Sequence, residues 1–104
     1  MNEIILIVDI IFLDRAKEAF NFPISNSIRT SFWIEDAENS TFSELIVENE
    51  NFYLDQYYHN VKIKIVEREF LSEKLHKGVK FKIGIFPNAI AEGQIDSIDI
   101  VGSP

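Results

Sequence analysis

The chain has 104 residues, of which 46% are hydrophobic, and this predicts one globular domain and excludes a disordered or low-complexity chain. It contains no cysteine, which excludes disulfides, thiolate metal sites and cysteine catalysis, and favours a reducing cytoplasm. The net charge of -7 disfavours a general nucleic-acid binder because an acidic surface repels phosphate. The same charge suits either a basic protein partner or simply solubility.

The N-terminal half of the chain predicts three strands separated by polar loops. Residues 3–13 are dense in β-branched side chains, so we expect a long first strand that is buried on both faces for part of its length. Asp9 interrupts this apolar run, which is also too short to span a bilayer, so no membrane segment is expected. Residues 14–20 predict a short helical turn, and further strands are expected at 29–35 and 42–47.

The region after residue 50 predicts an aromatic loop, a strand and one helical turn. Residues 55–60 carry the aromatic loop. Residues 61–67 alternate between apolar and polar side chains, which is the pattern of a half-buried antiparallel strand. Residues 69–78 are expected to form a helical turn that ends at Gly78, because glycine is favoured after the last helical residue.

The segment 80–95 predicts a hairpin with a proline-asparagine turn. Gly93 lies in the return strand, where glycine indicates a bulge or a close approach of two backbones. The alternation of apolar residues changes phase between Ile95 and Ile98, so we expect a bulge between residues 93 and 97.

Six or so short strands with little helix predict an all-β fold, either a closed antiparallel barrel or a sandwich. We assign residues 1–101 to a single domain and residues 102–104 to a frayed C-terminal tail.

Five segments fall in an order that is typical of one known barrel. They are residues 22–24, 28–34, 61–65, 75–83 and 90–95. This layout resembles the C-terminal β-barrel of elongation factor Tu and related translation GTPases, which implies a freestanding six-stranded antiparallel Greek-key-like barrel. The family's basic glycine loop and a Walker-type phosphate loop are both missing, so the chain is expected to have no GTPase activity and tRNA binding is not supported.

No catalytic residue, metal site or cofactor is predicted. The two histidines, His59 and His76, lack the spacing of metal ligands and are interpreted as surface residues. Asp9 is interpreted as a solvent-facing or edge residue, and no serine lies in a nucleophile-elbow motif. A small hydrolase or isomerase is the weakest of three functional hypotheses.

The leading hypothesis is a non-enzymatic protein-binding module, for example a small acidic immunity or inhibitor protein that binds a basic toxin. Tyrosine and tryptophan are favoured at interfaces, and acidic loops surround the aromatic residues. If Trp33 faces outward it is a binding candidate, and if its strand is buried on both faces it belongs to the core. The candidate partner-binding residues are Trp33, Glu35, Asp36, Glu38, Glu48, Glu50, Tyr53, Tyr57 and Tyr58.

The alternative hypothesis is a translation-associated module that binds RNA or another factor. It follows from the resemblance, and it requires the scattered cations to form one basic patch. The candidate residues for that patch are Arg29, Lys62, Lys64, Lys80 and Lys82.

Overall fold

The computed structural model describes residues 3–35, 37–48 and 50–101, and in this part of the chain six strands form one closed antiparallel barrel. The strands are β1 (Glu3–Phe12), β2 (Ile28–Ile34), β3 (Thr41–Ile46), β4 (Tyr57–Val66), β5 (Lys80–Ile85) and β6 (Asn88–Val101). A 3-10 helix follows β1 at Asp14–Glu18, and a single helical turn, α1, lies at Glu69–Ser72. The predicted antiparallel barrel and the first helical turn are confirmed. The second helical turn is present, but it ends at Ser72 with Glu73 as its C-cap, so the prediction that Gly78 ends it is wrong; the N–H of Gly78 instead donates to the carbonyl of Ile95. The predicted tail 102–104 lies outside the described residues.

The order of strands around the barrel is β1–β4–β3–β2–β5–β6, and β6 closes the sheet by pairing with β1. The first strand therefore lies beside the fourth, which is the neighbour relation of a Greek key. Strand β1 has the two longest ladders, with β4 on one side and β6 on the other.

The inward face of β1 forms the centre of the core. Alternate residues from Ile4 to Phe12 are buried, whereas the intervening outward residues are half-buried. The expectation that β1 is buried on both faces for part of its length is therefore wrong. Its outward isoleucines lie on the surface of the barrel, and flanking strands cover them only in part.

The bulge predicted in the last strand is confirmed. Ile7 pairs with Ser97 and Val8 pairs with Ile95, so Asp96 has no partner in β1. This extra residue changes which face the side chains occupy, and it accounts for the phase shift in the apolar pattern of β6.

A second bulge, in β4, was not predicted, and it corrects the expected aromatic loop at residues 55–60. Val8 pairs with Val61 and Ile10 with Tyr58, so Asp9 faces both His59 and Asn60. Asn60 has a φ of 58°, a left-handed conformation that asparagine tolerates better than most residues. Strand β4 therefore begins at Tyr57, four residues earlier than predicted, because β1 extends its pairing across the bulge.

Candidate functional site

A cleft of about 370 Å³ opens on the barrel surface. Residues of β5 and β6, Asp9 of β1 and the first residues of β4 line it, together with Glu35 after β2. Charged groups of both signs line it, together with one tyrosine, one histidine and one glutamine. The polar lining residues are Asp9, Glu35, Tyr57, His59, Lys80, Lys82, Glu92 and Gln94. Four different strands contribute to this group, so the closure of the barrel creates the site.

Asp9 and His59 form a hydrogen-bonded pair in the cleft. The Nδ1 atom of His59 lies 2.8 Å from Oδ1 of Asp9. Because a carboxylate oxygen only accepts hydrogen bonds, Nδ1 carries the hydrogen and the other ring nitrogen stays available to a ligand. The β4 bulge positions this pair, since it places His59 and Asn60 opposite the single residue Asp9. Asp9 was predicted to be a solvent-facing or edge residue and His59 a surface residue, and the contact between them was not predicted.

The segment from residue 50 to residue 58, here called the aromatic segment, leads into the cleft and is anchored at Phe52. The backbone of Phe52 forms a bridge with Ile24, in which each N–H donates to the other carbonyl at 2.9 Å. The ring of Phe52 is fully buried and packs against Phe12 and Tyr58, with centroids 5.6 and 4.7 Å apart. Through this ring contact, Phe52 positions Tyr58.

The Tyr58 hydroxyl forms two hydrogen bonds within the aromatic segment. It accepts a hydrogen bond from the backbone N–H of Tyr53 at 2.7 Å and donates to Oε1 of Gln56 at 3.2 Å. We expect Tyr58→Phe to remove both bonds while keeping the ring, and to lower the free energy of unfolding by about 1 kcal/mol. Amide hydrogen exchange at Tyr53 should become faster in this variant, and unchanged exchange would show that the hydroxyl does not hold the segment.

The structure separates the aromatic candidates for partner binding into exposed and buried residues. Tyr57 and Tyr53 are 67% and 46% exposed, and Tyr58 is half-buried. Trp33 is only 4% exposed, so the possibility that it lies exposed on the surface is wrong and the buried alternative holds. Trp33 pairs with Lys82 on the outside of the sheet, but the ring of Phe86 covers it edge-on at 5.0 Å.

The acidic candidates are spread over the surface. Glu35 lines the cleft, whereas Glu38 and Glu50 are exposed in loops. Glu48 lies 3.8 Å from the ammonium group of Lys62. Asp36 lies outside the described residues.

The predicted basic residues do not come together in one patch. Lys64 lies 3.7 Å from Glu3 and 3.6 Å from Glu44. Arg29 of β2 lies opposite the same Glu44 in the β2–β3 ladder. Lys80 and Lys82 lie on β5, which other strands separate from β4 in both directions around the barrel. Lys62, Lys64 and Arg29 therefore lie beside carboxylates, and the two lysines of β5 lie apart from them, so these five residues do not form the concentrated positive charge that favours phosphate.

Among the described residues, no group of three or more His, Asp or Glu side chains is arranged to hold a metal ion, and no helix is long and apolar enough to cross a membrane. A comparison with known protein families, curated proteins and solved structures finds no match to this chain. The resemblance to the elongation factor Tu barrel accordingly stays a prediction.

Proposed function

We propose that this protein is a non-enzymatic binding module that docks onto a basic surface of a partner protein through its aromatic segment. The observation that carries the proposal is the exposure of Tyr53 and Tyr57 on a segment that Phe52 and Tyr58 hold in one conformation. Exposed aromatic side chains supply large contact area, and a pre-ordered segment loses little conformational entropy on binding.

The charge of this surface indicates the chemistry of the partner. Glu50 and Asp55 are exposed within the aromatic segment, and Glu48 precedes it. The chain as a whole has a net charge of -7, so its electric field attracts basic proteins and speeds their encounter. A small acidic immunity or inhibitor protein for a basic toxin is the specific form of this proposal.

A relation to the elongation factor Tu barrel would instead favour a translation component or RNA as partner. The closed six-stranded antiparallel barrel supports that alternative, since the resemblance implies this architecture. The pairing of Lys62 and Lys64 with carboxylates weighs against its RNA form.

The experiment is affinity capture from extracts of the native host with the purified chain and two serine variants. Tyr53→Ser removes an exposed ring from the aromatic segment but keeps the backbone N–H that bonds to Tyr58. Phe42→Ser is the matched control, because Phe42 is a 71% exposed ring on β3. Both substitutions are at exposed positions, so we expect each to change stability by no more than about 0.5 kcal/mol.

We expect the wild-type chain and Phe42→Ser to retain the same basic protein, and Tyr53→Ser to retain about tenfold less of it, the usual effect of truncating an interface aromatic. Raising the salt concentration should weaken capture, because opposite charges steer the encounter. Equal retention by the two variants, or no retention above background, would refute the proposal. Retention of RNA or of a translation factor would support the alternative.

A further inference from the structure

We propose that the cleft is a binding site for a small ligand that carries both a carboxylate and an ammonium group, the chemistry of a free amino acid or a dipeptide. This activity is separate from partner docking, although Tyr57 lies at both surfaces. The cleft also has a volume within the range of small-molecule sites, which starts at about 300 Å³.

The lysines that line the cleft differ from those of β4 in their ion pairing. Lys62 and Lys64 on β4 both have a carboxylate within ion-pair distance. Lys80 and Lys82 line the cleft and have no ion-pair partner within the described residues. Glu35 and Glu92 line the same cleft and are likewise unpaired there.

Three of these four charges lie on two paired strands, β5 and β6. Lys82 lies directly opposite Glu92, and Lys80 lies directly opposite Gln94. Residues two apart on a strand share a face and are roughly 7 Å apart, so the two lysines form one row and Glu92 with Gln94 forms the next. A ligand across both rows meets cations on one side and an acid and an amide on the other.

The net charge of the cleft favours a ligand with charges of both signs. Asp9 is hydrogen-bonded to His59, so two unpaired ammonium groups and two unpaired carboxylates remain among the described lining residues. Asp9 keeps its charge in this hydrogen bond, so the lining has three carboxylates and two ammonium groups and is one negative charge from neutral when His59 is uncharged. A simple anion or cation therefore gains little from the net field of the cleft. A ligand with separated charges of both signs can form charge-assisted hydrogen bonds to both groups at once.

Two deviations from a regular sheet lie at the cleft, the β4 bulge and the close approach of two strands at Gly93. The β4 bulge directs His59 onto Asp9, and Gly93 lets β6 approach β1 closely at the same point. Bulges are concentrated next to functional sites because they re-aim side chains.

The test is a nuclear magnetic resonance titration of the purified, nitrogen-15-labelled chain at constant ionic strength. The probes are glycylglycine and L-glutamine, which carry both charges, with sodium acetate and ethylammonium chloride as single-charge probes. We expect at least one of the first two to cause saturable shifts of the amide signals of Lys82, Gly93 and Gln94. Its apparent Kd should be at least about tenfold lower than that of either single-charge probe.

Three variants locate the binding. Lys82→Gln and Glu92→Gln each remove one charge and should weaken binding of the zwitterionic probe by about tenfold. Lys17→Gln, at an exposed lysine of the 3-10 helix, is the control and should bind like the wild type. The proposal is overturned if acetate binds as tightly as the zwitterions, if no probe saturates, or if Lys17→Gln weakens binding as much as Lys82→Gln. Tyr53→Ser, which tests partner docking, should leave this titration unchanged, so the two proposals fail independently.

Discussion

Replacing Gly93 with alanine is expected to destabilise the barrel by about 3 kcal/mol or more, at the upper end of the cost of overpacking a core. The added Cβ atom would overlap the backbone carbonyl oxygen of Asp9 and would lie 2.9 Å from its carbonyl carbon and 3.0 Å from Cα of Ile10. These are main-chain atoms of β1, whose partners on both sides hold it in register. Because no flexible side chain can move aside, the two strands must separate.

Urea unfolding measures this effect, and the fluorescence of the buried Trp33 is a convenient signal because the chain contains one tryptophan. Gly78→Ala is the matched control. Gly78 has a φ of +90°, but a Cβ atom there would have no neighbour within 4 Å. Its cost should come from backbone strain alone, about 1 to 2 kcal/mol. If Gly78→Ala destabilised the chain more than Gly93→Ala, the close approach of the two strands would not explain the requirement for glycine at position 93.

The role of Gly93 could be predicted from the sequence because glycine weakens the interior of a strand, and it is therefore found there mainly where a bulge or a close backbone approach requires it. The bulge at Asp96 could also be predicted, since isoleucines on either side of it occur at positions that no single alternation accommodates. Both features change the local pattern of residues along the strand, and such a local pattern can be observed in a single sequence.

The β4 bulge left no such mark. Tyr58, His59 and Asn60 have side chains that are compatible with either face of a sheet, so a phase change among them is invisible. The only hint was Asn60, which tolerates the left-handed backbone that the structure shows. Because the bulge was not predicted, neither the early start of β4 nor the contact between His59 and Asp9 was predicted.

The cleft was missed for a different reason. Its residues come from positions as distant as Asp9, Glu35, His59 and Glu92, and only the register between strands brings them together. The sequence predicted several of the strands correctly but not the order β1–β4–β3–β2–β5–β6 in detail. The burial of Trp33 could not be predicted for the same reason. The residue that covers it, Phe86, is distant in the sequence and lies in the turn between β5 and β6.

Replacing Phe52 with alanine is expected to lower the free energy of unfolding by about 3 to 5 kcal/mol, the usual cost of removing a buried phenylalanine ring. Phe52 has no exposed surface, and its ring lies between Phe12 of β1 and Tyr58 of β4. The substitution leaves a cavity between two strands and also removes the packing that orients Tyr58. We therefore expect the aromatic segment to lose its fixed conformation even in molecules that remain folded.

Two measurements separate these effects. Thermal or urea unfolding reports the global loss, and Phe42→Ala is its control because that ring is exposed, so its removal should cost no more than about 0.5 kcal/mol. Amide hydrogen exchange at Tyr53, measured well below the unfolding transition, reports the local loss, since the N–H of Tyr53 bonds to the Tyr58 hydroxyl. Protection at Tyr53 that survives in Phe52→Ala would mean that the hydroxyl alone orders the segment. In that case Tyr58→Phe, and not Phe52→Ala, would have the larger effect on partner capture.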